Sequence, residues 1–171
     1  MALTLEDGTG IEDADAYVET SFVDTYAANY GKAGWDNLSD ADKEVHVRRA
    51  TQFIDNVYLN SFEPSTSTQR LAFPACKAYV RNTLVTGVPI QVKEAVAELA
   101  VISVTTSLVD VQTERLAIQE TKRAGDVSKS QTFSNDIYRK TFHPVEMILK
   151  PLTTGLNQIG PGVSTVSLAR V

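Results

Sequence analysis

The chain has 171 residues, of which 43% are hydrophobic and 22% charged, with a net charge of −5 and a single cysteine, Cys76. That length suits one domain burying about two thirds of its unfolded surface, and the composition is that of an ordinary globular protein. An internal disulfide framework is excluded, no run of about 18 apolar residues exists, and the acidic total weighs against a surface built mainly to neutralise phosphates.

The charge is graded along the chain. Residues 1–44 balance to −9, residues 45–110 to +1 and residues 111–171 to +3. An acidic head with a mildly basic tail fits stacking on a partner or on itself, and equally fits a solvated imbalance. The opening MALTLEDGTG has neither a basic flank nor an apolar h-region, which predicts no secretory signal and a cytosolic setting.

Residues 3–7 alternate apolar and polar side chains and end in the turn Asp7-Gly8-Thr9-Gly10. Asp13 or Asp15 is then expected to cap a helix reaching Tyr30, with Tyr17, Phe22, Tyr26 and Tyr30 near one stripe. Ser39 and Asp42 read as a capping box for a second helix, from about Asp40 to Leu59. Its core stripe is Val47, Ala50, Ile54, Val57 and Tyr58, with His46, Arg48, Arg49 and Gln52 mostly off it. Arg48 and Arg49 are expected at the rim with their stems packed down. Residues 60–69 form a polar loop, and 74–87 carry no readable conformation.

Pro89 predicts the first position of a third helix, running to about Val109. Val92, Ala95, Val96, Leu99 and Ser103 form one stripe; Ala97, Val101, Val104 and Leu108 form a second. A helix apolar on two sides is buried on two sides, so the second stripe meets either the chain's own core or another subunit. The β-branched residues of 101–109 leave a strand open there. Residues 118–133, with Gly125-Asp126 at their centre and Lys122, Arg123 and Lys129 on the arms, read as a hairpin or a long loop. A short helix starts at Pro144, and Gly160-Pro161-Gly162 separates a β-prone arm, Val163 to Val171. The expected fold is therefore mainly α. It is a small helical bundle over residues 1–159, with a hairpin or loop insertion and an extended C-terminal arm over 160–171.

No catalytic, metal or cofactor site emerges. His46 and His143 have no partner at ligand spacing, and Cys76 has no motif around it. The stretch GTGIED lacks the third glycine of a dinucleotide fingerprint. Glu12, Asp13 and Asp15 lack the calcium-loop spacing and read instead as helix-start carboxylates. The chain is expected to be no enzyme and to need no cofactor or metal.

Four stretches in order carry a family resemblance: LTLEDGTGIEDADAYVE, WDNLSDADKEVHVRRATQFID, QRLAFP at 69–74 and GVPIQVKEAVAELA at 87–100, extended by KRAGDV and VEMILKPL. Together they resemble tailed-bacteriophage proteins labelled DnaT-like single-stranded-DNA-binding proteins, a group similar to head-to-tail adaptor, or connector, proteins. The sequence departs at Phe73-Pro74-Ala75, where the family tends to carry Trp-Pro-Arg. The resemblance implies a homo-oligomeric ring in the virion neck, assembled in the host bacterial cytoplasm. The portal protein would lie above it and a tail or stopper protein below, with DNA passing through without specific binding and no membrane involved. Under it, Ala97, Val101, Val104 and Leu108 would form the subunit interface. Val163, Val166, Leu168 and Arg170 would form a partner-binding arm, and Lys122, Arg123 and Lys129 a loop facing partner or DNA. The rival reading is a replication accessory protein that binds single strands; a third is a generic cytosolic helical interaction module. The acidic composition predicts no tight single-strand binding near about 150 mM salt.

Alone, Val163, Val166 and Leu168 bury too little to offset the entropy of ordering the arm. Docked on a partner, the arm gains strand hydrogen bonds and a charge for Arg170 to meet. Deleting residues 160–171 is expected to leave the melting midpoint nearly unchanged and to abolish stable attachment to the ring or portal partner. Early melting of the truncated chain would place the arm in the domain's own core instead.

Overall fold

The computed structural model describes residues 2–109, 117–123, 128–133 and 140–154, with 117–123 and 128–133 described as backbone. The chain divides into two compact units, Met1–Leu108 with Thr141–Val171, and Val109–Lys140.

Among the described residues the first unit holds four α-helices: α1 (Thr20–Asn29), α2 (Asp40–Val57), α3 (Ile90–Thr105) and α4 (His143–Leu149). α2 starts as its sequence indicates, because the Ser39 hydroxyl accepts the Asp42 N–H at 3.2 Å and donates to the Asp42 carboxylate at 2.7 Å. Its buried side is Val47, Ala50, Thr51 and Ile54. α4 carries its proline in the first turn, where the missing N–H has no intrahelical partner to lose. α3 begins one residue after Pro89, which serves as N-cap, and remains helical through the β-branched residues to Thr105.

α3 organises this unit. Ala95 through Val101 are buried without a break, nearly two full turns of helix, so every side of it is covered. α1, α2 and α4 all pack against it, while α1 and α2 meet only slightly. The alanines at 95, 97 and 100 keep its diameter small enough for that enclosure. Trp35, Tyr17, Phe73, Ile54, Leu59, Leu99, Leu149 and Leu152 supply the bulk of the core.

The expectation of a mainly α bundle is corrected. Among the described residues, seven short antiparallel strands in three small sheets accompany the helices, and the fold is mixed. β1 (Glu63–Pro64) pairs with β2 (Ala75–Cys76). β3 (Tyr79–Val80) lies between β4 (Thr83–Leu84) and β7 (Leu152–Thr153). β5 (Ala117–Arg123) and β6 (Ser128–Phe133) make the hairpin of the second unit. Two-residue ladders are too short to show a period of two in sequence; they arise because the irregular segment 60–87 satisfies its backbone groups pairwise.

The first helix also differs from expectation, beginning at Thr20 rather than at Asp13 or Asp15. Asp15 is not a cap. Its carboxylate accepts the Thr4 N–H at 2.8 Å and the Arg48 Nε–H at 2.6 Å, and Leu5 bridges Ala16 in parallel. Tertiary partners from residues 4 and 48 hold Asp15 outside any helix, against a local helix signal.

Leu99 is fully buried on α3. Leu99→Ala is expected to cost about 2–5 kcal/mol, from lost burial plus the cavity left behind, read as a lower midpoint in denaturant unfolding at unchanged slope.

Candidate nucleic-acid interface

The residues expected to face a partner or DNA lie on the β5–β6 hairpin. Its register sets Lys122 opposite Lys129 and Arg123 opposite Ser128, with an irregularity between Ala117 and Gln119. The hairpin half of the earlier alternative is therefore the right one, and all three cationic residues fall at the end of the ribbon nearest its turn. Like charges directly opposite one another in an antiparallel pair repel.

Of the residues expected to form a subunit interface, Ala97, Val101 and Val104 lie on α3 and Leu108 lies past its end at Thr105. Ala97, Val101 and Leu108 are buried, and Val104 is partly buried against the core. Within the single chain the second stripe thus already faces its own core, Val104 only in part. The C-terminal arm, with Val163, Val166, Leu168 and Arg170, lies outside the described residues.

Much of the acidic head is committed internally. Glu6 is buried, and its carboxylate accepts the N–H groups of Gly8 and Gly10 at 2.9 Å each and of Ile11 at 2.8 Å. Gly10 stands at φ +86°, and a Cβ there would come within 2.9 Å of Thr66 Oγ1, so only glycine closes this loop without displacement. The loop that mimics a phosphate-binding fingerprint is an anion cradle already filled by the chain's own carboxylate. Asp24 accepts from Trp35 Nε1 at 2.7 Å and from Lys43 at 2.8 Å. Burial would raise its pKa, but those two donors prevail and hold it below the usual carboxylate range.

The QRLAFP motif is a structural clamp. The Tyr17 hydroxyl donates to Asp55 at 2.5 Å and accepts the Phe73 N–H at 3.0 Å, while Asp55 also receives the Ala72 N–H at 3.1 Å. Burial, then the neighbouring Asp55 charge, pushes the Tyr17 phenol far up, and burial pushes the Asp55 carboxyl up as well. Gln69 donates to the carbonyls of Leu71 and Pro74 at 2.7 and 2.9 Å, across a cis Phe73-Pro74 bond. On α3, Glu98 is buried and met by Lys32 at 2.7 Å and the Tyr26 hydroxyl at 3.1 Å. Each of these groups has hydrogen-bond partners within the chain. Among the described residues no cluster of three or more His, Cys, Asp or Glu could hold a metal ion, and no helix is long and apolar enough to cross a membrane.

Sequence reasoning missed the cations beside the β4-β3-β7 sheet, Lys77, Arg81 and Lys150. The signal available was Arg81-Asn82 between the β-prone pairs Tyr79-Val80 and Thr83-Leu84, a two-residue hairpin loop.

A family model described as "Putative DnaT-like ssDNA binding protein" matches residues 1–170, and the chain belongs to that family. No curated protein and no solved structure matches it.

His46, between Trp35 and α3, offers a pH readout of this packing. Ser103 Oγ gives its hydrogen to the Ala100 carbonyl at 2.6 Å, so His46 Nδ1, also at 2.6 Å, must be the donor to that oxygen. Burial, followed by the Arg49 charge, lowers the His46 pKa, with Asp42 opposing. The unfolded chain then takes up the proton first, so this contribution to stability is complete above about pH 6.5 and declines as the pH falls towards the folded value. His46→Gln is expected to flatten the melting midpoint between about pH 7 and pH 5 relative to the parent. An unchanged slope would mean that the ring titrates freely.

Proposed function

We propose that this member of the DnaT-like family is a non-enzymatic protein that binds single-stranded DNA through the β5–β6 hairpin, weakly and without sequence preference. The observation that carries the reading is the register that places Lys122 against Lys129 with Arg123 alongside, and the family description agrees with it. Phosphates between opposed cationic residues relieve their repulsion and release counterions from the strand. The net charge of −5 limits the affinity, because the acidic remainder of the chain repels the same polyanion over roughly a Debye length.

Fluorescence anisotropy of a labelled, unstructured oligothymidylate tests it. Micromolar binding is expected at about 50 mM salt and its loss by about 200 mM. The combined reversal Lys122→Glu, Arg123→Glu and Lys129→Glu should weaken it at least about tenfold. No binding at the lower salt, or binding indifferent to the reversals, overturns the reading.

A second reading keeps the head-to-tail adaptor: a homo-oligomeric ring in the virion neck, between portal and tail proteins. The acidic total favours it, since a net-negative ring would let DNA pass without gripping it. Ring-shaped particles in negative stain, together with absent oligonucleotide binding, would decide for that alternative.

A further inference from the structure

We infer, on the premise that the chain binds single-stranded DNA, that the β4-β3-β7 sheet carries a second contact surface for it. Lys77, Arg81 and Lys150 would meet phosphates there, and Tyr79 with Leu84 would give the bases an apolar rest. The cations of the first unit fall into two groups. Lys32, Lys43 and Arg48 are tied to Glu98, Asp24 and Asp15. Lys77, Arg81 and Lys150 are exposed and hold no ion pair or side-chain hydrogen bond among the described residues. Arg49, Arg70 and Lys93 also lack such a partner, but they sit on other elements.

The fold gathers the three. The Arg81 N–H donates to the Pro151 carbonyl at 3.1 Å, which sets the β3–β4 turn beside Lys150, and the Val85 N–H closes the hairpin on Ala78, next to Lys77, at 2.8 Å. The carboxylates on the adjoining elements are Glu63, paired in register with Cys76, and Glu146, whose oxygen lies 3.9 Å from His143 Nδ1. Tyr79, half-buried, stands opposite both Leu84 and Thr153, and Leu84 is 57% exposed. Cations around an apolar platform are what a sequence-tolerant single-strand site needs, because every base has a face to stack and every nucleotide a phosphate.

The backbone adds an independent reason. Lys77, Arg81 and Asn82 all have positive φ, at 54°, 49° and 67°. A two-residue hairpin loop with both central residues left-handed ordinarily takes Asn, Asp or Gly at each. Asn82 obeys that rule and Arg81 breaks it; Lys77, between β2 and β3, is left-handed as well although it is neither glycine nor asparagine. Local rules are broken where function outweighs them, and here each departure places a cation at the surface.

The test combines Lys77→Asn, Arg81→Asn and Lys150→Gln, since asparagine accepts left-handed backbone more readily than most residues. Oligothymidylate binding is measured against salt for this variant, the hairpin reversal variant and the parent. The sheet variant should melt no earlier than the parent, and its log–log salt slope should be shallower by about 2, at roughly 0.7 per lost phosphate contact. Should the triple variant fold poorly, Lys150→Gln alone, outside the strained backbone, should shift the slope by about 0.7. A parent-like slope in these variants, while the hairpin variant loses affinity, overturns the second surface and leaves the function standing. A parent that binds no oligonucleotide overturns both.

Discussion

The middle of α3 has no side to offer to water. With Ala95 through Val101 all buried, the helix is stable only inside a sleeve, and α1, α2 and α4 provide it. The burial of a leucine or valine contributes about 1.5–3 kcal/mol, and α3 buries Val92, Val96, Leu99 and Val101 in this way. The arrangement also explains why α4, a helix of only seven residues, is held: Val145 and Leu149 are buried, and the Phe142 N–H before it donates to the Tyr58 hydroxyl at 2.9 Å.

Enclosing α3 carries a carboxylate into the core, and the rest of the polar design answers that kind of demand. Glu98 cannot reach water, and it is satisfied by Lys32 and Tyr26 from the α1 region, which fixes how α1 lies against α3. The same logic governs Glu6 in its loop of N–H groups and Asp55 under residues 72–73. A buried charge without such partners would cost several kcal/mol. Thr51 is the exception, with a buried hydroxyl that finds no partner among the described residues. Part of the acidic bias of residues 1–44 is thus a matter of internal ties: Glu6, Asp15 and Asp24 each hold backbone or cationic groups of the chain itself.

Cations follow the opposite division. Lys43 and Arg48 are tied to carboxylates of the acidic segment, whereas Lys77, Arg81 and Lys150, beside the β4-β3-β7 sheet, are exposed and hold no ion pair among the described residues. A weak, salt-sensitive association with a polyanion is consistent both with these cations and with the net-negative total, since local charge governs contact and distant charge is screened.

Several elements could be read directly from residues. The Ser39–Asp42 pair marks the start of α2, Pro144 marks α4, and the two apolar stripes of α3 announce burial on more than one side. In each case the signal is local, because a cap, a proline or a period of 3.6 acts within one or two turns. The decoys were equally local: GTGIED resembles a phosphate loop until Glu6 is seen to occupy it, and Asp15 resembles a cap until Thr4 and Arg48 are seen to hold it. Tertiary structure alone decided those cases, together with the two-residue strands of 63–84 and the left-handed Lys77 and Arg81. Their causes are partners distant in sequence, such as Pro151 for Arg81 and Asp55 for residue 72, and a backbone group takes whichever partner the finished fold brings near it.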